Sequence, residues 1–355
     1  MTPTLNVGVV GFGFAAATFH APLITHTQGL KLRAISSSDA GKVKAAYPML
    51  DVCDSASALF ARPDIDLVVI PTPNETHFGL AALALAAGKH VVVDKPFTLD
   101  VAQAQDLITR AEQCGRLLSV FHNRRWDADF LSLQQVLASG SIGRVTHFES
   151  HFDRYRPQVR HRWREAGGPG SGLWYDLGPH LLDQAILLFG MPHSISLDLQ
   201  RQRDGAATDD WFHAILRYDG LRVILHGSAL AAKLGPRYLV HGTDGSFTKY
   251  GLDPQEDALK AGIRPDNAGW GIDPVPGVLT LANAHDPTGL DGLFDQTISG
   301  IPGDYTRYYA GIFDAIVAGR PNPVPANEAL QVMRLIEAGL RSFNENRCMK
   351  IAEFE

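Results

Sequence analysis

Over residues 1–121, short apolar runs alternate with helical segments, and this alternation constrains the fold more than any other feature of the sequence. The runs are continuous, which is typical of parallel strands buried on both faces. They lie at residues 5–10, 30–35, 65–70, 90–93 and 117–121, with a weaker strand expected around Val52. Helices are predicted over about 75–88 and 101–114, the second with Asp100 as its N-cap and Gly115 after it. Such repeats predict a doubly wound parallel sheet with right-handed crossovers.

After residue 123 the pattern changes to residue-by-residue alternation, which predicts strands with one buried and one solvated face. These strands are expected at residues 145–153, 194–199, 212–218, 222–228 and 238–241. Helices are expected at about 129–138, 175–189, 305–318 and 327–344, and loops over the Gly- and Pro-rich stretch 254–291. The sequence therefore predicts an α/β protein with a second domain, over 122–355, built on a large, mostly antiparallel open sheet.

Composition narrows the function classes. With 355 residues, the chain exceeds what a single hydrophobic core usually supports. Its 32 basic and 38 acidic residues give a net charge of −6, whereas nucleic-acid-binding domains usually carry an excess of positive charge. No apolar run approaches the ~18 residues of a membrane helix, and the N-terminus shows no signal-peptide pattern. The three cysteines are widely spaced, which fits a reducing cytoplasm. We expect a cytoplasmic protein without a membrane or nucleic-acid partner.

A glycine loop follows the first strand and opens a helix: Gly11-Phe12-Gly13-Phe14-Ala15-Ala16. In this context Gly11 permits a tight turn, Gly13 lets the backbone approach a pyrophosphate, and Ala16 keeps helix and strand close. The helix N-terminus then holds the anion. An ordinary glycine turn is the alternative, but the strand–helix units that follow favour a dinucleotide site.

The second strand ends in Ser36-Ser37-Ser38 instead of the carboxylate that usually binds the ribose of NAD. Hydroxyls at a helix start suit a 2′-phosphate, and Lys42 lies one turn into that helix. This pattern favours NADP. NAD stays possible, since Asp39 could bind a ribose, and Ser38 or Asp39 could merely cap the helix.

Two further motifs carry candidate chemistry. The fifth strand ends in Val93-Asp94-Lys95-Pro96, which places Lys95 where ligands bind in open α/β sheets, although a surface lysine is the simpler interpretation. On a predicted helix, Asp176, His180 and Asp183 fall on one stripe. A carboxylate beside an imidazole suits proton abstraction from a hydroxyl, whereas the plain alternative is a helix-stabilising pair. Zinc would need a third ligand at convincing spacing, so no metal is expected.

Arginines and aromatic residues cluster in three segments, at residues 122–127, 153–157 and 162–164. They could grip a polyhydroxylated or anionic ligand, or form salt bridges between domains.

Taken together, these motifs resemble the glucose–fructose oxidoreductase/inositol dehydrogenase family (Gfo/Idh/MocA), and the resemblance covers essentially the whole chain. It rests on the glycine loop, on Pro71-Thr72-Pro73-Asn74-Glu75-Thr76-His77, on Lys95-Pro96 and on the Asp176–His180 motif. Residues 122–127, 156–157 and 162–165 are most similar to its branch of NADP-dependent scyllo-inositol dehydrogenases and to related bacterial oxidoreductases of unassigned substrate. The family usually has Glu at the position of Asp94, and we expect the lysine's role to survive that change.

The resemblance implies a Rossmann domain over 1–121 that binds NADP, and a substrate-binding and oligomerisation domain over 122–355, whose terminal helix could pack back on the first. It implies His180 as general acid/base, Asp176 as its orienter, and Lys95 as hydrogen-bond or proton-relay partner at the substrate oxygen. The expected cofactor contacts are Gly11, Phe12, Gly13, Phe14, Ala15, Ala16, Ser36, Ser37, Ser38, Lys42, Pro71, Thr72, Asn74, His77, Asp94, Lys95, Pro96, Asn123, Arg162 and Trp163. The expected substrate contacts are Lys95, Arg124, Tyr155, Asp176 and His180.

The function expected from this resemblance is an NADP(H)-dependent dehydrogenase acting on CH–OH donors. It would transfer a hydride between the nicotinamide and a secondary alcohol or ketone of a cyclic polyol or sugar, with scyllo-inositol the leading substrate. An aldose, biliverdin-type or other carbonyl reductase is an alternative on the same fold. A non-catalytic NADP-sensing regulatory protein is an alternative of another class, against which the intact Lys95, Asp176 and His180 count. The family's usual interface on the open sheet implies a homodimer or homotetramer.

Overall fold

In a computed structural model of the chain, which describes residues 3–282 and 292–354, the first apolar runs form a six-stranded parallel sheet. Its strands are β1 (Leu5–Val10), β2 (Leu30–Ser36), β3 (Asp51–Cys53), β4 (Leu67–Ile70), β5 (His90–Val93) and β6 (Leu118–Val120). Their order is β3-β2-β1-β4-β5-β6, the order of the Rossmann fold, and the predicted fold is confirmed. The order reverses between β1 and β4, which is where such sheets bind ligands, at the carboxyl ends of the strands.

Short helices connect the strands of this sheet, and one of them begins and ends on the residues expected to cap it. A π-helical turn (Ala16–His20) leads into α1 (Ala21–Thr25), and four helices follow: α2 (Ala40–Ala46), α3 (Ala56–Phe60), α4 (Asn74–Ala86) and α5 (Val101–Cys114). At the start of α5 the Asp100 carboxylate accepts a hydrogen bond from the Gln103 N–H at 2.8 Å. At its end Gly115 has a φ of 59°, a conformation that favours glycine. Both predicted caps of α5 are confirmed.

The second sheet has nine strands in the order β14-β13-β12-β11-β7-β10-β9-β8-β15. These are β7 (Val145–Asp153), β8 (Ser194–Gln200), β9 (Trp211–Tyr218), β10 (Leu221–Ser228), β11 (Tyr238–Gly242), β12 (Gly245–Lys249), β13 (Gly277–Ala282), β14 (Leu293–Ile298) and β15 (Met349–Lys350). Among the described strands of this sheet only β7 and β10 pair in parallel, so the prediction of a mostly antiparallel sheet is confirmed. Helix α6 (Ala128–Ser139) precedes the sheet, and α7 (Leu173–Phe189) packs on β9 and β10.

The prediction of loops over residues 254–291 is wrong in part. The segment contains α8 (Gln255–Lys260) and the strand β13, while residues 283–291 lie outside the described part of the chain. Strands β12 and β14 were not predicted either. Strand β12 has one apolar side chain, that of Phe247. Strand β14 is exposed along most of its length at the edge of the sheet, and its apolar residues do not alternate with polar ones, so periodicity gave no signal for it.

The described residues fall into two compact units that are interleaved along the chain. The first unit comprises Met1–Trp126, Gln255–Trp270 and Asp304–Met333, and the second comprises Asp127–Pro254, Gly271–Gly303 and Arg334–Glu355. Two C-terminal helices, α9 (Thr306–Ala318) and α10 (Ala326–Glu345), complete the fold. The sequence placed everything after residue 121 in one domain, whereas α8, α9 and the first residues of α10 cluster with the first sheet. Among the described helices, none has both the length and the apolar character to cross a membrane.

Candidate functional site

The loop after β1 has the open backbone that a bound phosphate requires. Gly11 has a φ of 80°, and its N–H donates to the Ser36 carbonyl at 2.7 Å. A Cβ added to Gly13 would meet no heavy atom within 4 Å, so a ligand can approach this backbone closely. Ala16 is fully buried, as the small residue between helix and strand must be. The turn is therefore shaped to hold a pyrophosphate at a helix N-terminus.

A cavity of about 460 Å³ lies against this turn, within the first unit. Its lining includes Gly11–Gly13, Ser36–Asp39, Lys42, Ser55 and Thr72. This volume falls in the range of small-molecule and cofactor sites. Phe12 is buried beneath the loop, edge-on to the Tyr47 ring, while Phe14 is 59% exposed and Ala15 is half-buried. The residues present, with open glycine backbone on one wall and hydroxyls on another, fit a nicotinamide dinucleotide.

The serine turn after β2 forms the wall where the ribose of such a dinucleotide is expected. Ser36 is buried, and the Ser37 hydroxyl accepts a hydrogen bond from the Asp39 N–H at 3.1 Å. The Asp39 carboxylate caps α2 by accepting from the Lys42 N–H at 2.9 Å. The Lys42 ammonium lies 5.8 Å from the centre of the Phe12 ring, on the side of the cavity. The turn thus presents hydroxyls and one cation, while Asp39 caps the helix and also lines the cavity together with Asp54.

Lys95 follows β5, and its backbone N–H is bound by the buried carboxylate of Asp94. The Lys95 N–H donates to Asp94 Oδ1 at 2.7 Å, and the other Asp94 oxygen lies 3.5 Å from His20 Nε2. His20 is fully buried, and its Nδ1 forms a 2.6 Å hydrogen bond with the Tyr309 hydroxyl. Burial opposes ionisation of Asp94, but the His20 ring and the Lys95 and His77 charges outweigh it and lower the Asp94 pKa to about 2. Tyr309 and His20 therefore hold the Asp94 carboxylate in the position where it binds the Lys95 N–H.

His77 joins the loops after β4 and β5. Its Nδ1 faces the Pro96 carbonyl and its Nε2 faces the Thr72 carbonyl, each at 2.9 Å. Burial lowers the His77 pKa, while the Asp94 charge and the two carbonyl contacts oppose the shift. The side chain is fully buried, and its two carbonyl contacts connect the loops after β4 and β5. Pro71 and Thr72 lie at the end of β4, with Thr72 on the cavity wall, and Asn74 is buried at the start of α4.

In the second unit, Asp176 and His180 lie one turn apart on α7, as predicted. His180 is buried. The Asp176 carboxylate is flanked by two guanidinium groups, with Arg164 Nε at 3.4 Å and Arg154 Nη1 at 3.9 Å. Asp176 therefore lies between two cationic groups.

The N-terminus of α7 is anchored by Asp209, whose carboxylate accepts the Trp174 N–H at 2.7 Å. Burial raises the Asp209 pKa, while the hydrogen bonds it accepts oppose the shift. One turn further along, a Cβ on Gly178 would come 2.8 Å from the Trp174 ring, so the helix needs glycine there. These contacts set the position of the turn that carries Asp176 and His180.

Several basic residues predicted to touch cofactor or substrate are engaged by nearby acids. In the first unit the Arg124 guanidinium donates to Glu256 at 2.6 Å, and Asn123 is buried. In the second unit Arg162 donates to Glu165 at 2.6 Å. Trp163 stacks on its neighbour, with the Arg164 guanidinium 4.4 Å from a ring centre, whereas the Tyr155 side chain is 61% exposed. A cleft in the second unit is lined by Arg154, Arg156, Arg162, Arg164, Glu165, Asp176, Arg203, Asp209 and Asp210.

Three residues of these surroundings were not found from the sequence: His20, Tyr309 and Asp209. His20 and Tyr309 are 289 positions apart, and Asp209 caps a helix that starts 36 residues before it. Local patterns do not report such pairs. The sequence shows only that a histidine, His20, follows the glycine loop, and this does not identify its partners.

A Rossmann sheet with an open glycine turn at its switch point, followed by a second α/β unit, is typical of nicotinamide-dependent oxidoreductases. The comparisons with known proteins agree. Residues 5–122 match the family described as "Oxidoreductase family, NAD-binding Rossmann fold", and residues 134–351 match its "C-terminal alpha/beta domain". The chain belongs to the Gfo/Idh/MocA oxidoreductase family.

Individual relatives match along almost the whole chain. The uncharacterized oxidoreductase YdgJ of Escherichia coli is 55% identical over 99% of this chain and 100% of its own length. The scyllo-inositol 2-dehydrogenase (NADP(+)) IolW of Bacillus subtilis is 39% identical over 98% of this chain and 96% of its own. A solved oxidoreductase structure from Yersinia pestis is 54% identical, with a TM-score of 0.94 over 99% of this chain and 98% of that one.

Proposed function

We propose that this protein is an NADP(H)-dependent dehydrogenase of a cyclic polyol or sugar, with scyllo-inositol as the leading substrate. The observation that carries the cofactor part is the cavity wall of three serines with Lys42, which suits a 2′-phosphate better than a bare ribose. The substrate part is supported by the 39% identity to IolW, whose name records NADP and scyllo-inositol.

In this proposal a nicotinamide, when bound, would supply the hydride transfer, and the side chains of this chain move the proton. His180 takes the proton of the substrate hydroxyl as the carbon–hydrogen bond breaks, and returns it in the reverse direction. Asp176 orients the imidazole and stabilises its protonated form. Lys95 donates a hydrogen bond to the substrate oxygen, and the buried Asp94 carboxylate fixes the backbone from which Lys95 extends. A secondary alcohol thus becomes a ketone with one hydride and one proton accounted for.

The cofactor assignment is tested by comparing kcat/KM for NADP⁺ and NAD⁺ in the wild type and in Lys42→Ala. We expect a preference for NADP⁺ that Lys42→Ala reduces by raising the KM for NADP⁺ alone, because only NADP carries the phosphate that Lys42 would bind. Lys44→Ala, on the same helix with its ammonium on the Pro48 carbonyl, is the matched control and should change neither cofactor. A clear wild-type preference for NAD⁺ would contradict the assignment.

The substrate and the catalytic residues are tested together with a panel of inositols and aldoses. We expect oxidation of scyllo-inositol, and losses in kcat on the order of 10²–10⁴ in His180→Ala and Lys95→Ala. His193→Ala is the control, since this side chain is 66% exposed beside Asp219 and should keep full activity. Activity confined to aldoses would replace the substrate and keep the mechanism. NADP⁺ binding with no turnover of any polyol or sugar would favour the sensor alternative instead.

We also propose that the chain assembles as a homodimer or homotetramer in the cytoplasm. The face of the nine-stranded sheet opposite α7 supports the assembly, because its side chains in β7 and β9 are only partly buried in the single chain. Light scattering coupled to gel filtration measures the assembly, and a monomer at micromolar concentration would contradict it.

A further inference from the structure

Three histidines form a row across the open face of the nine-stranded sheet. His151 on β7 pairs with His226 on β10, and His226 pairs with His213 on β9. The ring centres of His151 and His226 are 5.3 Å apart, and those of His226 and His213 are 5.6 Å apart. On the other face of β7, Phe148 packs on the Phe189 ring of α7, so the row lies on the side away from that helix. These residues take no part in the proposed dehydrogenase chemistry.

The Asp153 carboxylate lies between two of these rings. One of its oxygens is 3.7 Å from His151 Nδ1, and the other is 3.5 Å from His226 Nε2. One nitrogen or oxygen from each of the three residues lies within 4.8 Å of the others. Charge-assisted hydrogen bonds are shorter, about 2.7–2.9 Å. Two ligands on a tetrahedral zinc ion are about 3.3 Å apart, given bond lengths of about 2.0–2.1 Å. The separations of 3.5 and 3.7 Å exceed those of charge-assisted hydrogen bonds, and the limit of 4.8 Å leaves room for a cation between the three groups.

The Asp153 Oδ1 atom adds a second, independent observation. It is buried, and among the described residues it accepts no hydrogen bond. A buried carboxylate oxygen without a partner is costly, so such atoms usually have a donor, a water or an ion. In the single chain the side chains of His151, Asp153 and His226 are 12–20% exposed.

Glu149 holds His151 in the orientation that a ligand needs. Its Oε2 lies 2.8 Å from His151 Nε2, and its Oε1 lies 2.7 Å from His147 Nε2. A proton on His151 Nε2 that donates to Glu149 leaves the lone pair of Nδ1 directed towards Asp153. A carboxylate behind the far nitrogen is the usual support of a metal-bound histidine, because it fixes the tautomer and raises the basicity of the ligand.

We propose that His151, Asp153 and His226 bind one divalent transition-metal ion per chain, with Glu149 as the supporting residue. Two imidazole nitrogens and one carboxylate oxygen suit Zn²⁺, whereas Mg²⁺ and Ca²⁺ prefer oxygen ligands alone. The three side chains supply three of four tetrahedral positions and leave the fourth for water. The ion would cross-link β7 and β10, the parallel pair of this sheet. The sequence suggested no such site, because its ligands come from strands more than 70 residues apart along the chain.

The test is Zn²⁺ binding by the full-length protein after removal of metal with a chelator, measured by competition with a chromogenic chelator. We expect one ion per chain in the wild type. Asp153→Asn and His226→Gln should weaken binding by at least about 100-fold, and Glu149→Gln by about 10–100-fold, the usual effect of a supporting residue. His241→Gln is the matched control: this histidine is on the same face, stacked on His147 and hydrogen-bonded to Ser246, and its loss should leave the affinity unchanged.

Two further measurements keep the result unambiguous. Far-UV circular dichroism shows that each variant is folded, and Asp153→Asn preserves the shape of the side chain. Co²⁺ in place of Zn²⁺ should give the strong visible absorption of a tetrahedral ion, lost in Asp153→Asn. Binding well below one ion per chain, or binding that survives in both ligand variants, would overturn the site. The readout is metal binding, so it stands or falls independently of dehydrogenase activity.

Discussion

At the scale of single residues, the buried Asp94 carboxylate links stability to pH. Its pKa falls from 3.8 to about 2 in the folded protein, because the His20 ring and the nearby Lys95 and His77 charges outweigh the opposing effect of burial. A carboxyl group whose folded pKa is depressed stabilises the protein above its unfolded pKa, and that stability is lost as the pH falls towards the folded value. The contribution is therefore complete above about pH 4 and disappears towards pH 2.

We expect Asp94→Asn to lower the free energy of unfolding by about 2 kcal/mol at neutral pH and to flatten its pH dependence below pH 4, since a shift of one pKa unit is worth about 1.4 kcal/mol. Thermal unfolding at several pH values measures this. Asp106→Asn is the control, since Asp106 pairs with Arg110 on the exposed surface of α5 and such pairs contribute about 0–1 kcal/mol. If the free energy of unfolding had the same pH dependence in both variants, the pKa of Asp94 would not be depressed in the folded protein.

The same residues show how far the sequence reaches at this scale. Asp94-Lys95-Pro96 at a strand end and the serines after β2 were identified because strand ends and glycine loops have local patterns. His20 and Glu256 were not identified as the partners of Asp94 and Arg124. Each of those pairs joins parts of the chain that only the tertiary fold brings together, over 74 and 132 positions.

At the scale of elements, α7 depends on a cap that lies outside its own sequence. The Asp209 carboxylate accepts the Trp174 N–H, and the Leu173 N–H donates to the Asp209 carbonyl at 2.9 Å. The helix itself begins after Gly172, where a Cβ atom would collide with the Asp209 carboxylate. The helix that carries Asp176 and His180 is thus positioned by a residue from the segment before β9.

We expect Asp209→Ala to destabilise the protein by about 1 kcal/mol, as the loss of an N-terminal cap usually does. Because the cap sets the first turn of α7, kcat should fall while the KM for cofactor stays unchanged. Asp209→Asn, which keeps an oxygen acceptor, should restore most of the loss. Asp219→Ala is the control at a fully solvated aspartate, 99% exposed. A fall in stability without any change in kcat would limit Asp209 to a structural role.

Elements with strong patterns were predicted and those without were not. Strand β7 was found with its observed bounds because Phe148 and Phe152 alternate with half-buried polar residues. Strand β14 was not predicted, since it lies at the sheet edge and has no buried face that would impose an alternation. Periodicity reports burial, so a strand without burial leaves no trace in it.

At the scale of the whole molecule, the dinucleotide-binding sheet is completed by segments from the far end of the chain. Tyr308 and Tyr309 on α9 are fully buried, and their rings lie 4.9 and 5.8 Å from that of Phe121, just after β6. The Ser119 hydroxyl bonds to the Tyr308 hydroxyl at 2.9 Å and donates to the Val324 carbonyl at 2.8 Å. The edge strand β6 therefore depends on residues about 200 positions later.

These contacts predict that a fragment ending at residue 126 does not fold on its own, although the local pattern of the sequence ends the domain near residue 121. The fragment would expose Phe121 and the buried Ser119 hydroxyl, and His20 would lose its Tyr309 partner beside Asp94. We expect no cooperative thermal transition and no measurable NADP⁺ binding by calorimetry. A fragment that also carries residues 304–333 on a flexible Gly/Ser linker should recover part of both, because it restores α9 and the Val324 segment. If the short fragment bound NADP⁺ as tightly as the full chain, the sheet would be complete without its C-terminal segments, and the unit would end where the sequence pattern ends.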